Sequence, residues 1–219
     1  MWIRNHTATT RGSPLDASPS RRYTGPVRIA FKEWAVVIDA LGRGEQILIL
    51  RKGGLCEGRE GFQVEHPRFL LFPTLFHQQR ESVLPAAQAR FDRIAPAFPA
   101  ADRVRLQFLA GIVAWRRLDS LAMAGRLRGQ HVWRDEVIAE RFDWGRSKNI
   151  YALAVQVFRL PQAVELPLLP GYGGCKSWVE LEPEIAVEAA QPVLADASFA
   201  VRLAAFQAAL AGEPNEVGA

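Results

Sequence analysis

The chain has 219 residues, 49% of them hydrophobic and 23% charged, with a formal net charge of +4. That length suits one sizeable domain or two small ones, and the composition is that of a globular chain rather than a disordered or fibrous one. No apolar run approaches the roughly 18–20 residues that cross a bilayer, and the N-terminus lacks the apolar core of a secretory signal. The cysteines are Cys56 and Cys175, too few for a disulfide framework and not spaced as a metal-binding pair. A cytoplasmic, reducing location and no membrane partner are therefore expected.

The charge is unevenly placed. Residues 1–24 hold four Arg and one Asp, while residues 180–219 hold seven acids and one Arg. The intervening 25–179 carry 22 basic and 15 acidic side chains, a net of +7. A basic body suits a polyanionic partner, DNA or RNA. The competing explanation is coding bias, since Arg outnumbers Lys 23 to 4.

In chain order, residues 1–24 are polar, rich in Ser, Thr, Pro and Arg, and read as a disordered basic tail. A core domain is expected over 25–185. Phe31, Trp34, Ala35, Ile38 and Leu41 recur at helical spacing, which predicts a helix that Gly42 and Gly44 can end. "QILILR" reads as a short buried strand closed by a turn at Lys52-Gly53-Gly54. "GFQVEH" alternates as strands do, and "RFLLFPT" is a further strand with Pro73 at its exit. "HQQRESVLPAAQARFDRI" predicts a helix with Pro85 at a break or a first turn. "DRVRLQFLAGIVAW" reads as one or two strands, "RLDSLAMAGRL" and "RDEVIAERF" as short helices, and "NIYALAVQVFRL" as a long strand bounded by Pro161. "PQAVELPLLPGYGGCKSWVELEP" is a Pro/Gly-rich crossing, long for a loop in a compact domain and so a functional candidate. Residues 186–219 predict an Ala-rich helix and a tail. Without regular βαβ alternation, the order favours an α+β fold.

Two polar islands carry the candidate chemistry. In the first, Arg51 and Lys52 precede two glycines, which lets a phosphate approach exposed backbone N–H groups; the alternative is a solvated turn. Glu65-His66 and His77-Gln78 flank "RFLLFPT", with Arg68 and Thr74 at its two ends. Histidine can ligate a metal or carry a proton, but no HxH, HxxxH or HExxH spacing occurs, and a third ligand such as Glu33 or Asp39 would have to come from afar. No acid-x-Lys pair of the nuclease type occurs either. No metal and no cofactor are expected. In the second island, Lys176 beside Cys175 could lower a thiol pKa, and Trp178 offers a stacking face; the alternative is a tight turn with both side chains packed inward. Trp34 lies on an apolar face and reads as core. Trp115 precedes Arg116-Arg117, and Trp144 precedes Gly145-Arg146, the aromatic–cation pairing found in nucleic-acid grooves.

"FKEWAVVIDALGRGEQILILRKGG", "FLLFPTLFHQ" and "GCKSWVEL" together resemble the bacterial domain-of-unknown-function family 1802, over roughly residues 28–182. Several separated motifs in the family's order make the resemblance fairly specific, and it implies no particular activity. A second, weaker likeness is to the opening of ASCH and PUA-like β-barrels, small modules that read RNA or modified bases. Their motif places Lys two residues, Glu five and Arg seven after a Gly. Gly44 and Arg51 match it, whereas Gln46 and Ile49 stand where Lys and Glu would be, so the acid that could do chemistry is missing. What that likeness implies is a barrel-like sheet flanked by helices.

The expectation is thus a single α+β domain with a curved, barrel-like mixed sheet. The leading function is a nucleic-acid-interacting accessory module. In it Arg51, Lys52, Arg68 and Lys176 supply charge, His77 and Gln78 read base edges, and Trp178 stacks. The rival is a hydrolase acting on phosphodiesters or nucleotides, drawing on Glu33, Glu65, His66, Thr74, His77 and Cys175. A third class is an interaction subunit that docks through its C-terminal helix. The deciding question is whether the 51–79 and 173–178 islands meet in space.

Overall fold

The computed structural model describes residues 25–52, 66–174 and 176–211. The tail 1–24, the Gly53-Gly54 turn, most of "GFQVEH", Glu65 and Cys175 lie outside the described residues.

The first element is a strand where apolar spacing predicts a helix. β1 spans Val27–Trp34, and α1 covers only Ala35–Gly42. Phe31 and Trp34 fit either period. The strand wins because β1 lies between two others, parallel to β3 (Arg68–Thr74) and antiparallel to β6 (Trp178–Ile185), which satisfy its backbone on both sides. α1 ends as its glycines predict. Gly44 sits at φ +68°, with Glu45 N–H donating to the Ala40 carbonyl at 2.9 Å and Gly44 N–H to that of Leu41 at 3.0 Å. This is a left-handed helix terminus with its paired reverse bonds. β2 (Leu48–Arg51) follows, buried except at its last residue.

The helix predicted from His77 is shorter. A 3₁₀ turn covers His77–Gln79, and α2 spans Pro85–Ile94. Pro85 occupies the first turn, where its missing N–H has no intrahelical partner to lose. β4 (Arg103–Leu118) is one continuous strand. α3 (Leu121–Gly125) and α4 (Asp135–Asp143) fall where two short helices are predicted. β5 (Ile150–Pro167) does not stop at Pro161. The β4–β5 register shifts between Leu106 and Phe108, which face Val164 and Arg159, so Pro161 falls in a bulge where no ladder N–H is required. The long crossing predicted from Pro161 therefore shrinks, since residues 161–167 belong to the strand and a 3₁₀ turn takes Pro170–Tyr172. β7 (Gln191–Pro192) adds a short pairing to β5, and α5 (Asp196–Leu210) is the last element among the described residues.

The fold is α+β: among the described residues, a seven-stranded mixed sheet flanked by helices, in the order β2-β5-β4-β3-β1-β6 with β7 on β5. Among the described residues no ladder joins β2 to β6, so the sheet is not closed into a barrel. It curls far enough, however, for the two edge strands to meet through side chains. One core packs the helices against one face, around Phe31, Leu48, Phe69, Trp133 and Leu153. A smaller one, around Leu70, Leu106, Tyr172 and Leu181, covers the other.

Candidate functional site

The meeting of the edges is made by Arg51. Its Nε donates to Ser177 Oγ at 2.8 Å, across 126 residues of sequence, and its guanidinium lies 5.4 Å from the Phe31 ring centroid. Ser177 is buried, and its carbonyl accepts the Lys32 N–H at 2.9 Å. The two polar islands therefore converge at one seam. Trp178 stands opposite Phe31 in the ladder. Its half-buried ring meets Phe31, Phe69 and His66 edge-on, at centroid distances of 4.8, 5.1 and 5.2 Å. Most of its surface is engaged by neighbours, and His66 rather than His77 is the histidine brought to it.

Glu33 lies behind Arg51. Its carboxylate is buried; Oε1 accepts the Trp34 N–H at 2.7 Å, and Oε2 has no hydrogen-bond partner among the described residues. Burial pushes its pKa up, and the positive charges of Arg141 and Arg51 pull it part of the way back. The Thr74 hydroxyl donates to the Glu33 carbonyl at 3.1 Å. Arg141, on α4, presents its enclosed guanidinium to Trp34 at 4.5 Å and to Trp133 at 5.5 Å, and donates to the Leu50 carbonyl at 3.1 Å. Burial lowers its pKa to about 10, against the opposing pull of Glu33. Sequence reasoning missed this residue. The signal was its position on the apolar stripe of α4 with Val137, Ile138 and Phe142, where an arginine needs an internal partner.

The other cations are tied to backbone. The Lys52 ammonium donates to the carbonyls of Phe142 at 3.1 Å and Asn149 at 2.9 Å, and also to that of Ser147, fastening the end of α4 to β2. Lys32 donates to the Gly174 carbonyl at 3.1 Å and Lys176 to that of Gly171 at 2.5 Å. Arg68 opens β3 opposite Gly111. His77 and Gln78 are exposed on the 3₁₀ turn past the far end of β3, where the Gln78 carbonyl accepts the Ser82 hydroxyl at 2.8 Å. Among the described residues, no three His, Cys, Asp or Glu side chains are placed to hold a metal ion.

A second feature adjoins the seam. Arg51 is in register with Tyr151 on β5, and Tyr151 with Arg117 on β4. Trp115, two residues earlier on β4, is 40% exposed and packs on Tyr151 with ring centroids 6.1 Å apart. Arg116 and Arg117 are exposed at the same strand end, with Arg117 Nε paired to Asp119 Oδ1 at 2.8 Å. The result is a row of alternating cations and aromatic rings leading away from Arg51.

The family model described as "Domain of unknown function (DUF1802)" matches residues 30–205. The chain belongs to the DUF1802 family. No curated protein matches it. Among solved structures, two mutant forms of ZmASCH from Zymomonas mobilis are similar to this DUF1802 chain at 12% identity. The first covers 72% of this chain and 92% of its own with a TM-score of 0.41, and the second 70% and 89% with a TM-score of 0.39. These are ASCH proteins, the group the Gly44–Arg51 spacing resembles, but likeness of that degree assigns this chain no function.

Proposed function

We propose that this DUF1802 chain binds nucleic acid along the seam and the adjoining row of β2, β5 and β4. The observation that carries the reading is the position of Arg51, bonded to Ser177 across the seam and in register with Tyr151 and Arg117 on the other side. Arginines spaced along a strand end can follow a phosphate backbone, and rings between them give bases of any sequence a face to stack on. Trp115 is the better stacking candidate, because Trp178 is occupied by Phe31, Phe69 and His66. Arg51 and Arg117 contact phosphate; Lys176, Arg68, His77 and Gln78 add contacts at the margins.

Fluorescence anisotropy with single- and double-stranded DNA and RNA oligonucleotides, at two salt concentrations, tests this. Affinity is expected to fall steeply with salt, and Arg51→Ala or Arg117→Ala to reduce the logarithmic salt slope by about 1 each. Trp115→Ala is expected to weaken single-strand binding by about 1–3 kcal/mol at unchanged slope. Absence of salt-dependent binding at micromolar protein would sink the proposal.

The hydrolase reading has one observation in its favour: Glu33, buried with Oε2 unpartnered among the described residues and near two guanidinium groups. A carboxyl group with a raised pKa in such a place could donate or accept a proton. Cleavage of a phosphodiester substrate that is lost in Glu33→Gln, with the salt-dependent binding retained, is what that reading requires.

A further inference from the structure

On the helix-packed side of the sheet, α1, α2, β3, β4 and the middle of β5 enclose an open cavity of about 560 Å³. That volume lies within the usual range of small-molecule pockets, roughly 300–1,000 Å³. Its floor is apolar, formed by Ile38, Leu71, Ile94 and Phe108, and its wall carries Arg43, Arg90, Arg93, Arg105 and Arg159. None of the residues discussed for the seam lines it.

The ion pairs around this cavity do not balance. Arg43 pairs with Asp39 at 2.8 Å, and Arg90 lies 3.3 Å from the same carboxylate and also pairs with Glu45. Arg105 shares Glu165 with Arg103, at 2.7 and 3.5 Å. Among the described residues, two guanidinium groups are left without a carboxylate. Arg159 donates to the neutral Gly42 carbonyl at 2.9 Å and lies 4.7 Å from the Phe108 ring centroid. Arg93, exposed on α2, has no polar partner among the described residues. Arginine is the residue suited to forked binding of phosphate and carboxylate, and these two retain most of their donors. Those two uncompensated guanidinium groups over an apolar floor match a dianionic head on a compact, weakly polar body.

We infer that this cavity binds a small phosphomonoester, its phosphate held by Arg93 and Arg159 and its organic body against Phe108, Leu71 and Ile38. The site is separate from the nucleic-acid seam and does not depend on it. A free nucleotide-sized phosphate fits the volume; the internal diester of a polymer presents only one charge per phosphate and lacks the dianionic end.

The test is calorimetric titration of the full chain with adenosine monophosphate, inorganic phosphate, adenosine and succinate. The monophosphate is expected to bind most tightly, inorganic phosphate more weakly and adenosine not at all. Arg93→Ala and Arg159→Lys should each weaken monophosphate binding about tenfold, as loss of a charge-assisted bond does. Arg93→Glu, at an exposed position with no partner to strand, should abolish it while the melting temperature without ligand is unchanged. Adenosine or succinate binding as tightly as the monophosphate would overturn the inference, as would no binding at millimolar ligand or full affinity in Arg93→Glu. Loss of monophosphate binding in Arg51→Ala would also overturn it, by placing the ligand in the seam.

Discussion

Gly42 has no side chain because Phe108 occupies the space. A Cβ there would fall 2.2 Å from Phe108 Cζ and 2.7 Å from both ring Cε atoms. The ring is buried under Arg159, so it could move only into the cavity beside it. Gly42→Ala is expected to cost about 1–3 kcal/mol through overpacking, less the up to about 1 kcal/mol that alanine returns inside a helix, as read by urea denaturation; a stabilised variant would contradict this. His131 poses a different residue-scale problem. It is buried beside Trp133, neither ring nitrogen completes a hydrogen bond among the described residues, and burial lowers its pKa to about 4. The unfolded chain takes up the proton near pH 6.5, so between pH 6.5 and 4 the unfolded state binds more protons than the native one, and stability drops as the pH falls. The full effect is on the order of 3 kcal/mol. His131→Phe should remove that part of the acid sensitivity, and denaturation curves from pH 7 to 4 that stay parallel for the two proteins would refute it.

At the scale of elements, α5 shows how little of a helix needs to be apolar. Phe199, Phe206 and Leu210 are buried, and Leu203 packs against the same core, leaving the remaining positions largely open. The stripe at i, i+4, i+7 and i+11 fixes one face to the body. Phe206→Ala should therefore destabilise the whole protein by about 3 kcal/mol, as a core truncation. A helix serving only as an external docking arm would lose less than about 0.5 kcal/mol, and a midpoint shift that small would return α5 to that role. Elements were also where the sequence was most and least legible. β2, β3, α3 and α4 lie where turn residues and periodicity place them. Phe31, Trp34, Ala35 and Ile38 satisfy a 3.6-residue period across a strand–helix junction, so periodicity alone predicts a helix where β1 stands. No turn residue marks that junction, and it exists because β3 and β6 flank the strand. Pro161 predicts a strand end because a proline cannot donate to a ladder; the bulge that accommodates it depends on β4.

For the molecule as a whole, a side-chain link joins β2 to the residue just before β6, across the two edges of the open sheet. Arg51 and Ser177 are the link. In a double-mutant cycle, Arg51→Ala and Ser177→Ala should each destabilise, and their coupling should be about 1 kcal/mol. Additive losses would mean that the seam is held by Trp178 and its neighbouring rings alone. Removing the link should also speed amide hydrogen exchange in β2 and β6 ahead of β4 and β5, whose long pairing lies in the middle of the sheet.

By itself, the sequence determined the α+β class, the family, the positive body and most of the helices and strands, because periodicity, turn residues and charge are local properties. It could also show which side chains were chemically able to hold an anion. It could not show which of them would be spent inside the fold. Lys52 closes the end of α4, Arg141 is sealed between two tryptophans, and His66 rather than His77 reaches Trp178. Only the tertiary structure decided that Arg51 meets Ser177, that Tyr151 lies between Arg51 and Arg117, and that Arg93 and Arg159 share a cavity. Each of those pairings depends on strand order, bulge position and helix docking, which arise from contacts between residues far apart in the chain.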